Sequence, residues 1–156
     1  LLTDPNRLRD QGAKLFLQFL RQGDRVGIID FSHAAHIVKE LEDFEPAKVS
    51  DLEQKISSIQ STGEFTNLLA AIEAAATMLA EKGRPDANRV VILLSDGKMD
   101  PDPVSGSSAA LTEKLLSDVL PDIKTSNVKI HTLAFSDQAD KDLLSQIAAG
   151  TDGVNW

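Results

Sequence analysis

The sequence predicts an α/β protein built on a doubly wound sheet, mostly parallel with one antiparallel edge strand, with helices on both faces. Three observations predict it. Val90–Leu94 is a run of five apolar residues with no polar face, as in a parallel-sheet strand covered on both sides. Helical and strand periodicities alternate along most of the chain. Two strand-like segments, Val26–Phe31 and Ala34–Leu41, are separated only by a tight connection around Ser32-His33, so they must pair antiparallel.

In chain order, Thr3 or Asp4 can cap a first helix over about Pro5–Arg21, with Pro5 in its first turn. Leu8, Leu15, Phe16, Phe19 and Leu20 recur at helical spacing, and Gly23 ends the segment. The hairpin follows, then a short amphipathic helix from about Lys48 carrying Leu52, Ile56 and Ile59. Ser61–Asn67 reads as a loop. Leu68–Glu81 is a strong helix whose alanines allow close approach to a sheet, stopped by Gly83-Arg84-Pro85.

The apolar run Val90–Leu94 comes next and is expected near the centre of the sheet. Gly97–Ser108 is a loop longer than usual, on the side where open α/β sheets bind ligands. A helix over about Ala109–Leu120, a strand Val128–Phe135 and a helix Asp140–Ala149 complete the pattern. Residues 1–156 read as a single domain. A sheet built around Val90–Leu94 calls for a buried strand feeding the first helix, and a new apolar segment begins at Gly153–Trp156. Truncation at both ends is therefore expected.

Composition narrows the function. Sixteen basic against twenty-four acidic residues give a net charge of −8, with no basic stripe, which argues against nucleic acid. The chain has no cysteine, so thiolate chemistry and disulfides are excluded, while either redox compartment is allowed. No apolar run reaches the roughly 18 residues of a membrane span. Catalytic signatures are missing: there is no Gly-x-Ser-x-Gly elbow, no phosphate loop and no Gly-x-Gly-x-x-Gly. A receiver-like phosphoacceptor at Asp96 would need a lysine after a later strand, where Ser136-Asp137 stands instead.

Helix one, then Gly23–Ser32, then Gly63-Glu64-Phe65-Thr66-Asn67-Leu68, then Val91–Gly97, resembles in order and spacing the von Willebrand factor type A (vWA) domain. The resemblance implies a Rossmann-like fold and a metal-ion-dependent adhesion site. In such a site, loops at the carboxyl ends of the strands hold Mg²⁺, or another divalent cation such as Mn²⁺ or Ca²⁺, that a partner's Asp or Glu completes. By resemblance Thr66 and Asp96 match the metal-binding threonine and aspartate. The family's first metal loop, Asp-x-Ser-x-Ser, is absent.

Hard oxygen ligands of this kind suit Mg²⁺. Each candidate also has an ordinary reading: Asp96 as a turn aspartate, Thr66 as a helix cap. Asn67 and Ser95 read as structural. Asp100 and Asp102 lie in Asp-Pro-Asp-Pro, a solvated turn rather than a calcium site, and His33, His36 and His131 have no ligand spacing for zinc.

The expected function is a non-enzymatic module, of a bacterial multi-domain protein, binding a partner protein through a divalent cation; the compartment stays open, with an extracytoplasmic or cell-surface setting as the alternative. The alternatives are a docking domain of an ATP-driven, chelatase-type complex and a metal-independent scaffold with a degenerate site.

Overall fold

The structure is a computed structural model that describes residues 7–60, 65–95, 97–136 and 139–156. The chain forms α1 (Leu8–Leu17), β1 (Arg25–Phe31), β2 (Ala35–Asp43), α2 (Val49–Ser58), α3 (Leu68–Lys82), β3 (Arg89–Ser95), α4 (Ser108–Lys114), α5 (Leu120–Thr125), β4 (Val128–Ala134) and α6 (Lys141–Gly150). A short 3-10 turn, Pro46–Lys48, leads into α2. The element order matches the α/β reading.

The first helix is shorter than its periodicity predicts. It starts after Arg7, which adopts a left-handed φ of 51°, while Thr3, Asp4 and Pro5 lie outside the described residues. Past Ala109 the sequence understates the helix. A π-turn at Leu115–Val119 joins α4 to α5, so helical structure runs from Ser108 to Thr125. Pro121 falls in the first turn of α5, where its missing N–H costs nothing.

β1 and β2 form the predicted antiparallel hairpin, with register shifts at Ile28 that bend it. β3 and β4 pair in parallel and in register from Arg89–Val128 to Ser95–Ala134. Val154–Trp156 then begin to pair alongside β4, through Thr132 N–H to Val154 O at 3.0 Å and Trp156 N–H to Thr132 O at 3.0 Å.

One expectation is corrected. β3 is not the centre of a continuous sheet: among the described residues it pairs only with β4, and β1 pairs only with β2. Val90 itself is 42% exposed, although Val91–Leu94 after it are all apolar. An apolar run reports what could cover a strand, not how many strands flank it.

Helices cover both faces. Leu93 and Ile130 join Leu68, Ile72, Leu120, Leu144 and Ile147 in the main core beneath α3, α5 and α6. On the opposite face a smaller core unites Leu17 of α1 with Phe44, Leu52 and Ile56. Gly12 of α1 sits against Leu94 and Leu133, where even a Cβ would stand 3.0 Å from Leu94. Gly153 is required for a different reason, since a Cβ there would lie on the Ile130 carbonyl.

Leu144 is fully buried in the main core. Leu144→Ala should therefore lower unfolding free energy by about 3 kcal/mol in urea titration, the usual combined loss of burial and cavity formation. A loss below about 1 kcal/mol would mean this face is loosely packed.

Candidate functional site at the carboxyl ends of the strands

The loops after β1 and β3 meet. Asn67, just before α3, donates its backbone N–H to Ser32 O at 2.7 Å and its side-chain amide to His33 O at 3.4 Å. Its Oδ1 accepts from Ala70 N–H at 3.0 Å, so Asn67 is the N-cap of α3 and is buried. The alternative that Thr66 caps this helix is thereby corrected: the cap lies one residue later.

Thr66 instead forms an antiparallel bridge with Asp100. Thr66 N–H donates to Asp100 O at 2.6 Å, and Asp100 N–H donates back to Thr66 O at 2.9 Å. This bridge uses the backbone and leaves the half-buried threonine hydroxyl without a hydrogen-bond partner among the described residues. The loop after β3 is thus pinned at Thr66 and returns through Ser108, whose hydroxyl donates to Met99 O at 2.6 Å.

Asp96 lies outside the described residues. Ser95 is buried and its hydroxyl accepts from Gly97 N–H at 3.0 Å, as expected of a structural residue. Gly97 has a φ of 73°, and a Cβ there would lie 2.7 Å from both Asp140 O and Leu144 Cγ. Only glycine combines that backbone with that approach.

Asp102 is used by its own loop. Its carboxylate accepts from Val104 N–H at 2.9 Å, from Ser105 N–H at 3.2 Å and from the Ser105 hydroxyl. The Ser105 hydroxyl bond, aided by those N–H groups, holds its pKa below the ordinary carboxylate value. This is a turn aspartate. Among the described residues no three His, Asp or Glu side chains gather as a metal site.

The histidines also take ordinary roles. His33 Nδ1 lies 3.3 Å from the Ser32 hydroxyl, and His33 meets His36 edge to face. His131 Nδ1 accepts from Val154 N–H at 3.0 Å while its ring stacks on Trp156.

Two carboxylates that the sequence reading did not single out sit nearby. Asp10 of α1 is buried and paired with Arg7 and, at 3.7 Å, with Arg9. Asp30, near the end of β1, has its pKa raised by desolvation, partly offset by the Phe31 backbone hydrogen bond and by Arg9 and His36. The available signal was an acidic residue interrupting Val26–Phe31.

Hydroxyl and carboxylate oxygens are the donor type Mg²⁺ prefers. The Thr66 hydroxyl, unengaged among the described residues, fits such a role, whereas the Ser95 hydroxyl accepts from Gly97 N–H.

The von Willebrand factor type A domain family profile matches residues 6–155. The chain belongs to the vWA family. Calcium-activated chloride channel regulator 1 from Sus scrofa is 29% identical over 147 residues, and the human protein of that name 28% over 148. These matches cover 92% and 93% of this chain but 14% of each relative, so the chain spans about a seventh of their length.

Solved structures with this fold include a vWA protein from Catenulispora acidiphila, at TM-score 0.72 and 16% identity over 94% of this chain and 32% of that one. The SpRpn10 VWA domain aligns at TM-score 0.68 and 12% identity, over 98% of this chain and 76% of that one. Domains of the vWA family typically serve as protein-interaction modules. No described helix of this vWA chain is long and apolar enough to cross a membrane.

The Asp30 environment gives a signed pH dependence. A carboxyl whose folded pKa is raised favours the fold fully below its unfolded pKa and loses that contribution as pH rises through the folded value. Asp30→Asn should thus melt higher than the parent at pH 7, with the gap closing towards about pH 3. A gap constant across that range, followed by circular dichroism melts, would contradict the assignment.

Proposed function

We propose that this vWA domain is a non-enzymatic module that binds an acidic group of a partner protein through a divalent cation, Mg²⁺ or a similar ion. Thr66 and Asp96 would hold the ion, together with oxygens from a segment outside the described residues. The ion would supply an open coordination position for a partner's Asp or Glu. The observation that supports this reading is the Thr66 hydroxyl: the backbone of Thr66 is fixed on both sides by the Asp100 bridge, while its side-chain oxygen has no hydrogen-bond partner among the described residues. The loop beyond Asp100 would contribute selectivity, since Val104 stands 95% exposed at its tip.

A metal-independent scaffold is the second reading. It is favoured by the absence of a three-ligand acidic cluster among the described residues and by the missing Asp-x-Ser-x-Ser motif.

Thermal unfolding of the full-length polypeptide that carries this domain separates the two. A ligand that binds only the native state raises the midpoint, by about 3–6 °C at roughly tenfold saturation for a domain of this size. Millimolar Mg²⁺ or Mn²⁺ should produce such a rise in the parent, and Thr66→Ala and Asp96→Ala should remove it. An equal midpoint with Mg²⁺ and with chelator in the parent would establish the metal-independent reading.

A further inference from the structure

The two aspartates of Asp100-Pro101-Asp102-Pro103 are not equivalent. Asp102 spends its carboxylate on Val104 N–H, Ser105 N–H and the Ser105 hydroxyl, and so fastens its own turn. Asp100 is exposed, and its carboxylate has no hydrogen-bond partner among the described residues. Its backbone, by contrast, is bonded to Thr66.

That bond pair fixes where the Asp100 side chain stands. Thr66 and Asp100 exchange both N–H···O bonds, at 2.6 and 2.9 Å, as the hydrogen-bonded pair of an antiparallel ladder does. Residues opposite each other in such a pair have Cα atoms about 5.5 Å apart and project their side chains from the same face. The Thr66 hydroxyl and the Asp100 carboxylate therefore leave the bridge side by side.

Both partners are held from behind. Pro101 biases Asp100 towards extended backbone, the conformation a bridge needs. Met99, just before it, is buried, and its carbonyl accepts from the Ser108 hydroxyl at 2.6 Å. On the other side Asn67, the buried N-cap of α3, ties the residue after Thr66 to Ser32 and His33. Only Gly97, Lys98 and Met99 separate Asp100 from Asp96 in the chain.

This placement suits a shared ion. Two oxygens bound at right angles to one octahedral Mg²⁺ or Mn²⁺, each about 2.1 Å from it, lie about 3 Å apart. Side chains whose Cβ atoms stand about 5 Å apart reach that separation by choice of rotamer. Thr66 offers a neutral oxygen, and the number of charged ligands is what tunes an oxygen site's affinity for a divalent ion. A carboxylate beside Thr66 supplies attraction that the hydroxyl lacks.

We propose that Asp100 is a ligand of the divalent cation at this site, adding its carboxylate to the Thr66 hydroxyl across the backbone bridge. The assignment rests on the metal-binding reading of the site and adds to it a residue that sets ion affinity.

The test removes one charge at a time from the same loop. Mn²⁺ binding to the full-length polypeptide that carries this domain is followed by electron paramagnetic resonance of the free ion, in the parent, Asp100→Asn, Asp102→Asn and Asp96→Ala. Binding lost in Asp96→Ala defines the site. Asparagine leaves the backbone bridge intact and suits the turn at position 102, so both Asn variants should melt within about 2 °C of the parent in chelator.

Asp100→Asn should weaken Mn²⁺ binding at least about tenfold, and Asp102→Asn less than about threefold, as expected of a screened surface charge. Equal weakening by the two Asn variants would reduce Asp100 to part of the loop's general field and overturn the proposal. Unchanged Mn²⁺ affinity in Asp100→Asn would overturn it too, while leaving the metal-binding reading in place. A parent whose Mn²⁺ binding is untouched by Asp96→Ala would overturn that reading and the proposal together.

Discussion

The parallel alignment of β1 and β3 at a distance is the constraint on which the rest depends. It is imposed by polar ties at the two ends rather than by a ladder between the strands: Asn67 and the Thr66–Asp100 bridge at one end, and arginine-to-carbonyl bonds involving Arg84 and Arg25 at the other. The buried Asn67 tie is the stronger kind, because an unpaired buried amide would carry a full desolvation penalty. The exposed arginines act chiefly as spacers, since solvent competes for their bonds.

This arrangement divides the hydrophobic interior into two cores of unequal quality. The main core, around Leu68, Ile72, Ile130, Leu144 and Ile147, is dense and anchored by the β3–β4 ladder. Its polar members are satisfied: the Thr132 hydroxyl lies 2.8 Å from Asn155 Oδ1, and Thr151 Oγ1 accepts from Ile130 N–H at 2.9 Å. The smaller core under α1 and α2 rests on the β1–β2 hairpin, no residue of which is fully buried. The same loops that tie the strands also gather Thr66, Ser95 and Gly97 at one end, so the candidate site inherits its geometry from the cores beneath it.

Much of this was legible in the sequence because it depends on local chemistry. The hairpin follows from the short connection at Ser32-His33, and the strong helix from the alanine-rich stretch after Asn67. Family membership was legible from Gly63–Leu68 and Val91–Gly97 taken together with their spacing. What could not be read is what depends on neighbours distant in the chain. Val90–Leu94 announces a strand able to be buried on both faces, but its pattern cannot reveal that one edge lacks a partner among the described residues. Thr66 and Asn67 are both good cap residues, and only the contacts with Ser32 and His33 decide between them. The helix expected to end at about Leu120 continues instead, because the π-turn at Leu115–Val119 re-phases the hydrogen bonds so that Pro121 falls in the first turn of α5.

The central claim is that, among the described residues, β3 is paired on one edge and open on the other. Native-state amide hydrogen exchange resolved by residue across Val90–Leu94 tests it most directly, because alternate amides of a strand point to opposite edges. Strong protection at amides bonded to β4, alternating with rapid exchange at those facing the gap, is the result the structure predicts. Uniform strong protection along the strand would show that both edges are paired and would contradict the account.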